Sequence, residues 1–353
     1  MIRAIDLDYL INGGTELMLK IGVVGYGYWG PNLVRNFSEI DEARVVAVSD
    51  LNDARLKLVK ARYPTIDITT DYRQLIARTD IDAILIATPV SAHYPIALES
   101  LKAGKHLFVE KPLTETLQQG IELIEEAEKR KLLLHVDHTF IYTSAVRKMH
   151  ELVEKGELGD LYYYDSVRVN LGLFQPDVNV IWDLAVHDLS IMNYVFPLKP
   201  LSVSATGMNH VPGKPANIAF LTLYFENNAI AHFHVNWLAP VKLRRTLVGG
   251  SRKMIVYDDL EPSEKIKVYD KGLIFDGTKE SLYQTLIGYR TGDMWAPQLD
   301  TVEALRLEAR HFAQCIEQGK PSLTDGRAGL AVVRILEAAT QSMNKLGQPV
   351  QLD

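Results

Sequence analysis

The side chains best suited to acid–base chemistry fall in two short stretches of the sequence. Lys111 lies in the tripeptide Glu110-Lys111-Pro112, directly after an apolar run. Asp183 and His187 are four residues apart, a spacing that would put them on one face of a helix. A histidine beside a carboxylate can exchange a proton with a hydroxyl near neutral pH. A lysine can stabilise the alkoxide that forms. These stretches therefore indicate proton transfer at a hydroxyl group.

Each stretch also has a purely structural explanation. Glu110 and Lys111 could form a solvated ion pair on a surface loop. Asp183 could cap its helix, and His187 could be a core or surface histidine. Local sequence does not distinguish the catalytic role from the structural one, so the predicted elements around these residues must decide between them.

A dinucleotide-binding turn is predicted near the start of the chain. An apolar run is followed by three glycines in the G-x-G-x-x-G spacing, which are Gly25, Gly27 and Gly30. The first glycine would allow the turn, and the second would admit a pyrophosphate to the backbone. The third would let the following helix pack closely on the strand, with its N-terminal N–H groups facing the anion. The same glycines also fit an ordinary turn between a strand and a helix.

Asp50 favours the dinucleotide interpretation. It lies 20 residues beyond Gly30, at the end of the second predicted strand, where a carboxylate binds the adenosine ribose. A carboxylate there repels a 2′-phosphate, and Leu51 and Asn52 replace the Arg or Ser expected of an NADP site. NAD is therefore favoured over NADP. Asp50 could instead cap the next helix, but Asp53 also fits that role.

The elements that position these residues alternate as strand and helix up to about residue 138. Repeated βα units predict a parallel, doubly wound sheet, whose ligands bind beyond the C-terminal strand ends. Five residues fall at such ends: Thr88, Pro89, Glu110, Lys111 and Pro112. The predicted class is α/β, with a Rossmann domain at 18–140. A substrate-binding and oligomerisation domain at 141–353 would contain helices and a mostly antiparallel sheet. Residues 1–17 are interpreted as an N-terminal extension or as an arm that reaches a partner subunit.

Composition excludes several classes of function. A formal net charge of -6 provides no basic surplus for nucleic acid or a membrane surface. No apolar run approaches the ~20 residues of a membrane span. The single cysteine cannot form an internal disulfide, so a cytoplasmic location is expected. No metal site is expected, because the histidine pairs at 135–138 and 232–234 lack a third ligand at a recognisable spacing.

Four motifs together resemble one enzyme family. They are the glycine turn, Ala87-Thr-Pro-x-x-x-His93, the run from Ala103 to Leu113, and Asp183-x-x-x-His187. In this order they resemble the glucose–fructose oxidoreductase, inositol dehydrogenase and MocA-like family of NAD(P)-dependent sugar oxidoreductases. The resemblance covers nearly the whole chain from Met18 onward. It implies a Rossmann domain, a second domain with an open antiparallel sheet, and homodimers or homotetramers that pair through that sheet.

The resemblance makes Lys111, Asp183 and His187 the expected catalytic residues. Together with the motifs above it gives the expected NAD contacts, which are Gly25, Gly27, Tyr28, Trp29, Gly30, Asp50, Thr88, Pro89, His93, Glu110 and Lys111. The expected substrate contacts are Tyr142, Arg168, Asn170, Asp183 and His187. Glu110 would either orient the lysine or contact the nicotinamide ribose, and a cis Lys111–Pro112 peptide is possible. Whether Lys111 or His187 is the base stays open.

The stretches 27–33 and 170–177 look similar to bacterial nucleotide-sugar 3-dehydrogenases that act on UDP-N-acetylglucosamine or its uronate. Arg244, Arg245 and Arg290 could then meet a diphosphate, or could be solvated surface charges. Residues 179–182 replace glycines that many members of the family carry, which leaves the sugar undefined. Three alternatives remain: a ketoreductase, a dehydrogenase for inositol or a free sugar, and a non-enzymatic NAD-binding regulator.

Overall fold

A computed structural model of the chain describes residues 18–172, 178–274 and 288–352. The predicted extension at 1–17 and the stretch 173–177 lie outside the described residues. The chain divides into two compact units. Unit 1 combines the residues up to Tyr142 with Val302–Val333, and unit 2 combines Thr143–Thr301 with the residues from Arg334 onward.

Unit 1 is built on a six-stranded parallel sheet. Its strands are β1 (Leu19–Val24), β2 (Ala43–Ser49), β3 (Asp67–Thr69), β4 (Ala83–Ile86), β5 (His106–Glu110) and β6 (Leu134–Asp137). The spatial order is β3-β2-β1-β4-β5-β6, which is that of a doubly wound dinucleotide-binding sheet. The predicted α/β class is confirmed. Strands with helices on both faces are apolar throughout, and Ile21, Val23 and Leu85 are fully buried.

Helices connect these strands. They are α1 (Gly30–Ser38), α2 (Asp53–Arg62), α3 (Tyr72–Ile76), α4 (His93–Lys102) and α5 (Leu117–Arg130). Asn52, Asp71 and Thr116 each accept a backbone N–H at the start of a helix, so the helices begin where side-chain caps are available. No helix among the described residues combines the length and apolar composition that a membrane crossing requires.

A later segment completes the core of unit 1. Helix α8 (Ala304–Gln318) packs Phe312 edge-on against Phe37 and Phe108, at centroid separations of 6.0 and 5.5 Å. Arg35 also binds Glu303 through both nitrogens, at 2.9 and 2.6 Å. The sequence predicts one continuous domain at 141–353. Residues 302–333 depart from that expectation, because the apolar face of α8 is buried in the core of unit 1.

Unit 2 carries a nine-stranded sheet. Its helices are α6 (Ser144–Glu154) and α7 (Val186–Val195), and the unit boundary falls within α9 (Gly326–Asn344). The strands of this sheet are β7 (Leu161–Leu171), β8 (Pro200–Met208), β9 (Ile218–Phe225), β10 (Ile230–Asn236), β11 (Leu238–Gly250), β12 (Met254–Asp258), β13 (Ile266–Tyr269), β16 (Met294–Trp295) and β17 (Val350–Gln351). Two further strands, β14 (Gly272–Ile274) and β15 (Gly288–Arg290), form a separate pair. The sheet is antiparallel except where β10 runs parallel to β7.

Candidate active site

The glycine turn after β1 has the shape that a dinucleotide requires. Gly25 has φ +99, and a Cβ there would lie 2.4 Å from the carbonyl oxygen of Ala87. A Cβ on Gly30 would lie 2.2 Å from the oxygen of Gly25, so only glycine permits this close approach. Gly27 is different, because the nearest atom to its Cβ position is 3.7 Å away, on Arg55. The turn is therefore tight at both ends and open in the middle, where a pyrophosphate would bind.

Asp50 is tied to the glycine turn. Its carboxylate accepts the backbone N–H of Tyr26 at 2.7 Å and that of Asn52 at 2.8 Å. Asn52, rather than Asp50 or Asp53, caps the following helix. A contact between Asp50 and the ribose stays a prediction, since the side chain is only 6% exposed.

Arg55 was not predicted as a site residue. Its guanidinium lies 3.5 Å from Asp50 Oδ2 and next to the open position of Gly27, and its side chain is 49% exposed. A cation at the start of α2, five residues after the acid, was the available signal. Arg55 is placed to meet a cofactor phosphate.

Two aromatic residues follow Gly27 in the turn. Tyr28 is 90% exposed. Trp29 caps α1 and donates its indole N–H to Asp137 Oδ2 at 2.8 Å, at the end of β6. This bond connects the glycine turn to the far side of the same sheet edge.

The loop after β4 is a second place where the described residues could contact the cofactor. Pro89 is exposed, whereas the hydroxyl oxygen of Thr88 is buried and has no hydrogen-bond partner among the described residues. His93 is buried. Its Nε2 lies 3.0 Å from the backbone carbonyl oxygen of Thr88, and its Nδ1 lies 2.9 Å from the backbone carbonyl oxygen of Pro112. Burial lowers the pKa of His93. Since both ring nitrogens face backbone carbonyls, His93 positions the two strand-end loops instead of contacting a ligand directly.

Glu110 and Lys111 lie at the end of β5, and the Lys111–Pro112 peptide is cis. Glu110 is 9% exposed, so the alternative of a solvated surface ion pair does not apply to it. Its Oε2 accepts the backbone N–H of Lys111 at 3.1 Å. Burial, together with the neighbouring Asp137 carboxyl, raises the pKa of Glu110 well above its ordinary value. Glu110 therefore holds the lysine backbone in place from beneath the loop.

His138 belongs to a histidine pair at which the sequence predicts no metal site, and its environment is unusual. It follows β6, is 2% exposed, and neither ring nitrogen has a hydrogen-bond partner among the described residues. Burial lowers its pKa to about 4. A buried neutral imidazole with two unused nitrogens at a strand end is a candidate ligand contact.

Asp183 and His187 lie on consecutive turns of different kinds. Residues Ile181–Ala185 form a π turn, closed by the Val186 N–H bonding to the Ile181 oxygen, and α7 follows directly. Asp183 does not cap the helix; Asn179 does, by accepting the N–H of Ile181 at 3.1 Å. π turns are rare and frequently lie at functional sites.

Trp237 fixes the Asp183 carboxylate in unit 2. Its indole N–H donates to Asp183 Oδ2 at 3.0 Å, and the tryptophan is fully buried at the end of β10. Asp183 and His187 are both half-buried. A rigid donor therefore orients the carboxylate.

Two expected substrate contacts are corrected. Arg168 is 2% exposed and donates to both oxygens of Asp188, at 2.7 and 2.9 Å. Tyr142 is 4% exposed, with its hydroxyl 3.3 Å from Thr324 Oγ1 in the core of unit 1. Both side chains are enclosed and bonded to other residues, so neither is placed to contact a substrate. Asn170, near the end of β7, is half-buried and remains a candidate.

The arginines considered for a diphosphate face carboxylates. Arg244 lies 3.0 Å from Asp259, and Arg245 lies 3.5 Å from Asp258. The side chain of Arg290 falls outside the described part of the chain. These pairs reduce the positive charge available for a nucleotide.

Comparison with known proteins assigns the family. Residues 19–138 match the model of the oxidoreductase family with an NAD-binding Rossmann fold, and residues 146–256 match the GFO/IDH/MocA C-terminal domain. The chain belongs to the Gfo/Idh/MocA family. It is an NAD-dependent oxidoreductase, as predicted, and its cofactor is NAD.

Individual members of this family differ in what they act on. The UDP-N-acetylglucosamine 3-dehydrogenase of Acidithiobacillus ferrooxidans is 27% identical over 92% of this chain and 96% of its own length. The myo-inositol 2-dehydrogenase of Thermotoga maritima is 25% identical over 93% and 97%. The solved structure of the Acidithiobacillus enzyme has a TM-score of 0.78 at 24% identity, over 94% of this chain and 99% of that one. At 24% identity the structural likeness shows the fold.

Proposed function

We propose that the protein oxidises a secondary hydroxyl group of a sugar or nucleotide sugar, with C3 of UDP-N-acetylglucosamine or its uronate as the first candidate. The observation that carries the proposal is the presence, in one chain, of a dinucleotide cradle in unit 1 and of Asp183 with His187 at the π turn of unit 2. Bound NAD supplies the hydride acceptor.

The protein's own part in the reaction is to handle the proton. His187 accepts the hydroxyl proton, since an imidazole titrates near neutral pH. Lys111 donates a hydrogen bond to the same oxygen and stabilises the developing alkoxide. Asp183, oriented by Trp237, positions the substrate hydroxyl. Asn170 and His138 are further candidate contacts.

Two substrate classes compete, and each has its own support. The relative that oxidises UDP-N-acetylglucosamine supports a nucleotide sugar. The pairing of Arg168, Arg244 and Arg245 with aspartates favours a neutral sugar or inositol instead, because those cations are already compensated. Reduction of a keto sugar is the same chemistry in the opposite direction.

A substrate panel distinguishes these candidates. NADH formation would be followed with UDP-N-acetylglucosamine, its uronate, glucose 6-phosphate and myo-inositol, with a keto acid present to recycle NADH if oxidation is uphill. Turnover of a UDP sugar supports the first candidate, and turnover of myo-inositol alone supports the second. Tight NAD binding without turnover of any alcohol, and without reduction of the matching ketones, would contradict the proposal.

Two variants test the assigned roles. His187→Asn and Lys111→Ala should each lower kcat by ~10²-fold or more, because each removes a group that handles the proton or the alkoxide. The matched controls are His210→Asn and Lys102→Ala, at exposed positions of the same units, which should keep full turnover. Near-normal turnover in either test variant would remove that residue from the mechanism.

Pairing of copies through the sheet of unit 2 is part of the same proposal. Along β9, Phe220 and Tyr224 are each 42% exposed, while the alternate residues Leu221 and Leu223 are buried. Such an apolar outer face is typical of a surface that another subunit covers. A dimer or tetramer in light scattering that dissociates in Phe220→Glu would support it, and a monomeric wild-type protein would contradict it. A cytoplasmic location remains a prediction.

A further inference from the structure

Three carboxyl groups are enclosed together in unit 1, behind the loop that carries Lys111. Glu110 ends β5, Asp137 ends β6, and Glu308 lies in α8; they are 9%, 2% and 0% exposed. Glu110 and Asp137 stand directly opposite each other in the strand register. Several anions so close together in a buried site repel one another strongly, so some of these groups must hold a proton.

The hydrogen bonds identify the group that is ionised. Asp137 accepts the indole N–H of Trp29 on Oδ2 and the hydroxyl of Thr139 on Oδ1. Both oxygens therefore face donors, as they would in a carboxylate. A carboxylate satisfies the indole and the hydroxyl together and keeps lone pairs for a third donor.

The hydrogen-bond partners of the Glu110 oxygens indicate which group is protonated. Glu110 Oε2 accepts the backbone N–H of Lys111. Glu110 Oε1 is buried and has no donor partner among the described residues, and Asp137 is its register neighbour on β6. A proton on Oε1 gives Asp137 a third donor and leaves no oxygen of Glu110 unsatisfied.

Glu308 completes the cluster from the helix side. Its Oε1 lies 3.0 Å from His135 Nε2, and its Oε2 is buried without a partner among the described residues. Burial raises the pKa of Glu308 and lowers that of His135, so the contact joins two neutral groups and not an ion pair. Asp137 is then the one carboxylate of the three.

We propose that Glu110 and Asp137 share one proton, with Glu110 as donor and Asp137 as acceptor, and that this pair positions both Lys111 and Trp29. Glu110 binds the lysine backbone, and Asp137 binds Trp29, the N-cap residue of α1, a helix whose N-terminus is expected to face the cofactor pyrophosphate. The pair thus links the two ends of the cofactor site. The role given to Lys111 rests on the proposed function; the shared proton does not.

The pair should respond to pH. Asp137, Lys111 and Glu308 face Glu110, and His135 and His138 lie beyond them. Its raised pKa means that Glu110 stays neutral to a higher pH than an exposed glutamate does. It then ionises beside Asp137, the hydrogen bond is replaced by repulsion, and Trp29 loses its fixed acceptor. NAD binding should therefore weaken as the pH rises through that pKa.

The test compares two amide variants without any substrate. Glu110→Gln keeps a donor for Asp137 but cannot ionise, whereas Asp137→Asn removes the charged acceptor of Trp29. Infrared difference spectra of wild type against Glu110→Gln should show one protonated carboxyl band at neutral pH that shifts in heavy water. NAD titrations of Glu110→Gln should give a Kd that stays constant as the pH rises, whereas the Kd of wild type should weaken. For Asp137→Asn, the Kd should be roughly 10-fold or more weaker.

Controls make each outcome decisive. Glu128→Gln, at an exposed position of α5 that pairs with Arg327, should leave both the band and the Kd unchanged. If Asp137→Asn does not fold, Trp29→Phe removes the same indole bond and should weaken NAD binding while keeping the band. Absence of the band from the wild type minus Glu110→Gln difference spectrum overturns the shared proton, because the neutral Glu308 is present in both proteins and cancels. Equal NAD affinities in Glu110→Gln and Asp137→Asn overturn the order of donor and acceptor. These readouts hold even if no sugar is turned over.

Discussion

The buried pair of Arg168 and Asp188 sets the position of α7 on the sheet of unit 2. The two side chains are 3% and 4% exposed, so solvent screens them little. With ~4 Å between charge centres and an effective dielectric constant of about 20, their attraction is about 4 kcal/mol. Asp188→Asn removes the carboxylate to which the buried Arg168 donates through two nitrogens, which should cost ~3–5 kcal/mol in the free energy of unfolding. His187 precedes Asp188 on the same helix, so loss of this contact should also displace His187 and lower kcat.

Urea and thermal unfolding measure this loss. For a unit of this size each kcal/mol shifts Tm by ~2–4 °C, so Asp188→Asn should lower Tm by roughly 6–20 °C. The double variant Arg168→Met with Asp188→Leu removes both charges and should recover to within ~1–2 kcal/mol of wild type. Arg245→Met, in a pair that is 60% and 29% exposed, is the control and should cost at most ~1 kcal/mol.

Two results would refute the reasoning. A loss below ~1 kcal/mol in Asp188→Asn would mean that the arginine is not held by the charge of its partner. A double variant as unstable as the single one would assign the loss to packing around the pair, not to removal of the Asp188 charge.

Three further outcomes follow from unit 1. Gly25→Ala should weaken NAD binding roughly 10- to 100-fold by titration, because a Cβ would strike a backbone oxygen; Gly104→Ala, with φ +79 and open space, should not. Asp50→Ala should reduce the ratio of kcat/KM for NAD over NADP, and an unchanged ratio would remove Asp50 from ribose binding. Burial raises the pKa of Glu308, so its contribution to stability is present below the unfolded pKa and is lost as pH rises towards the folded one. The free energy of unfolding of Glu308→Gln, measured in urea, should therefore rise relative to that of wild type by ~1.4 kcal/mol for each pH unit above about pH 5. Glu128→Gln is the control and should show no such rise.

Strand ends were the part of the site that sequence could predict. Alternating βα units place the C-terminal ends of parallel strands on one edge of the sheet, so the sequence alone assigns Thr88 and Glu110 to that edge. The glycine spacing predicted the turn for the same reason, since φ and close approach depend on residues that are adjacent in the chain.

Long-range packing was not predictable in this way. Helix α8 enters the core of unit 1 because Phe312 fits against Phe37 and Phe108, and nothing local to 302–318 records that partner. Arg168 was misassigned for a related reason. Alternation along β7 shows which strand face the side chain is on, but not that Asp188 on α7 meets it there.

The state of Glu110 combines both kinds of information. Its position beside Asp137 follows from strand order and register, which the βα pattern largely determines. Its proton does not, because that depends on how deeply the pair is buried and on which donors reach Asp137. Trp29 comes from the glycine turn, and Glu308 from α8, about 170 residues further along the chain than Asp137. A motif that looks like a lysine with a charged partner is therefore, once folded, a lysine held by a neutral acid. Only the surroundings contributed by α8 and the glycine turn make that difference.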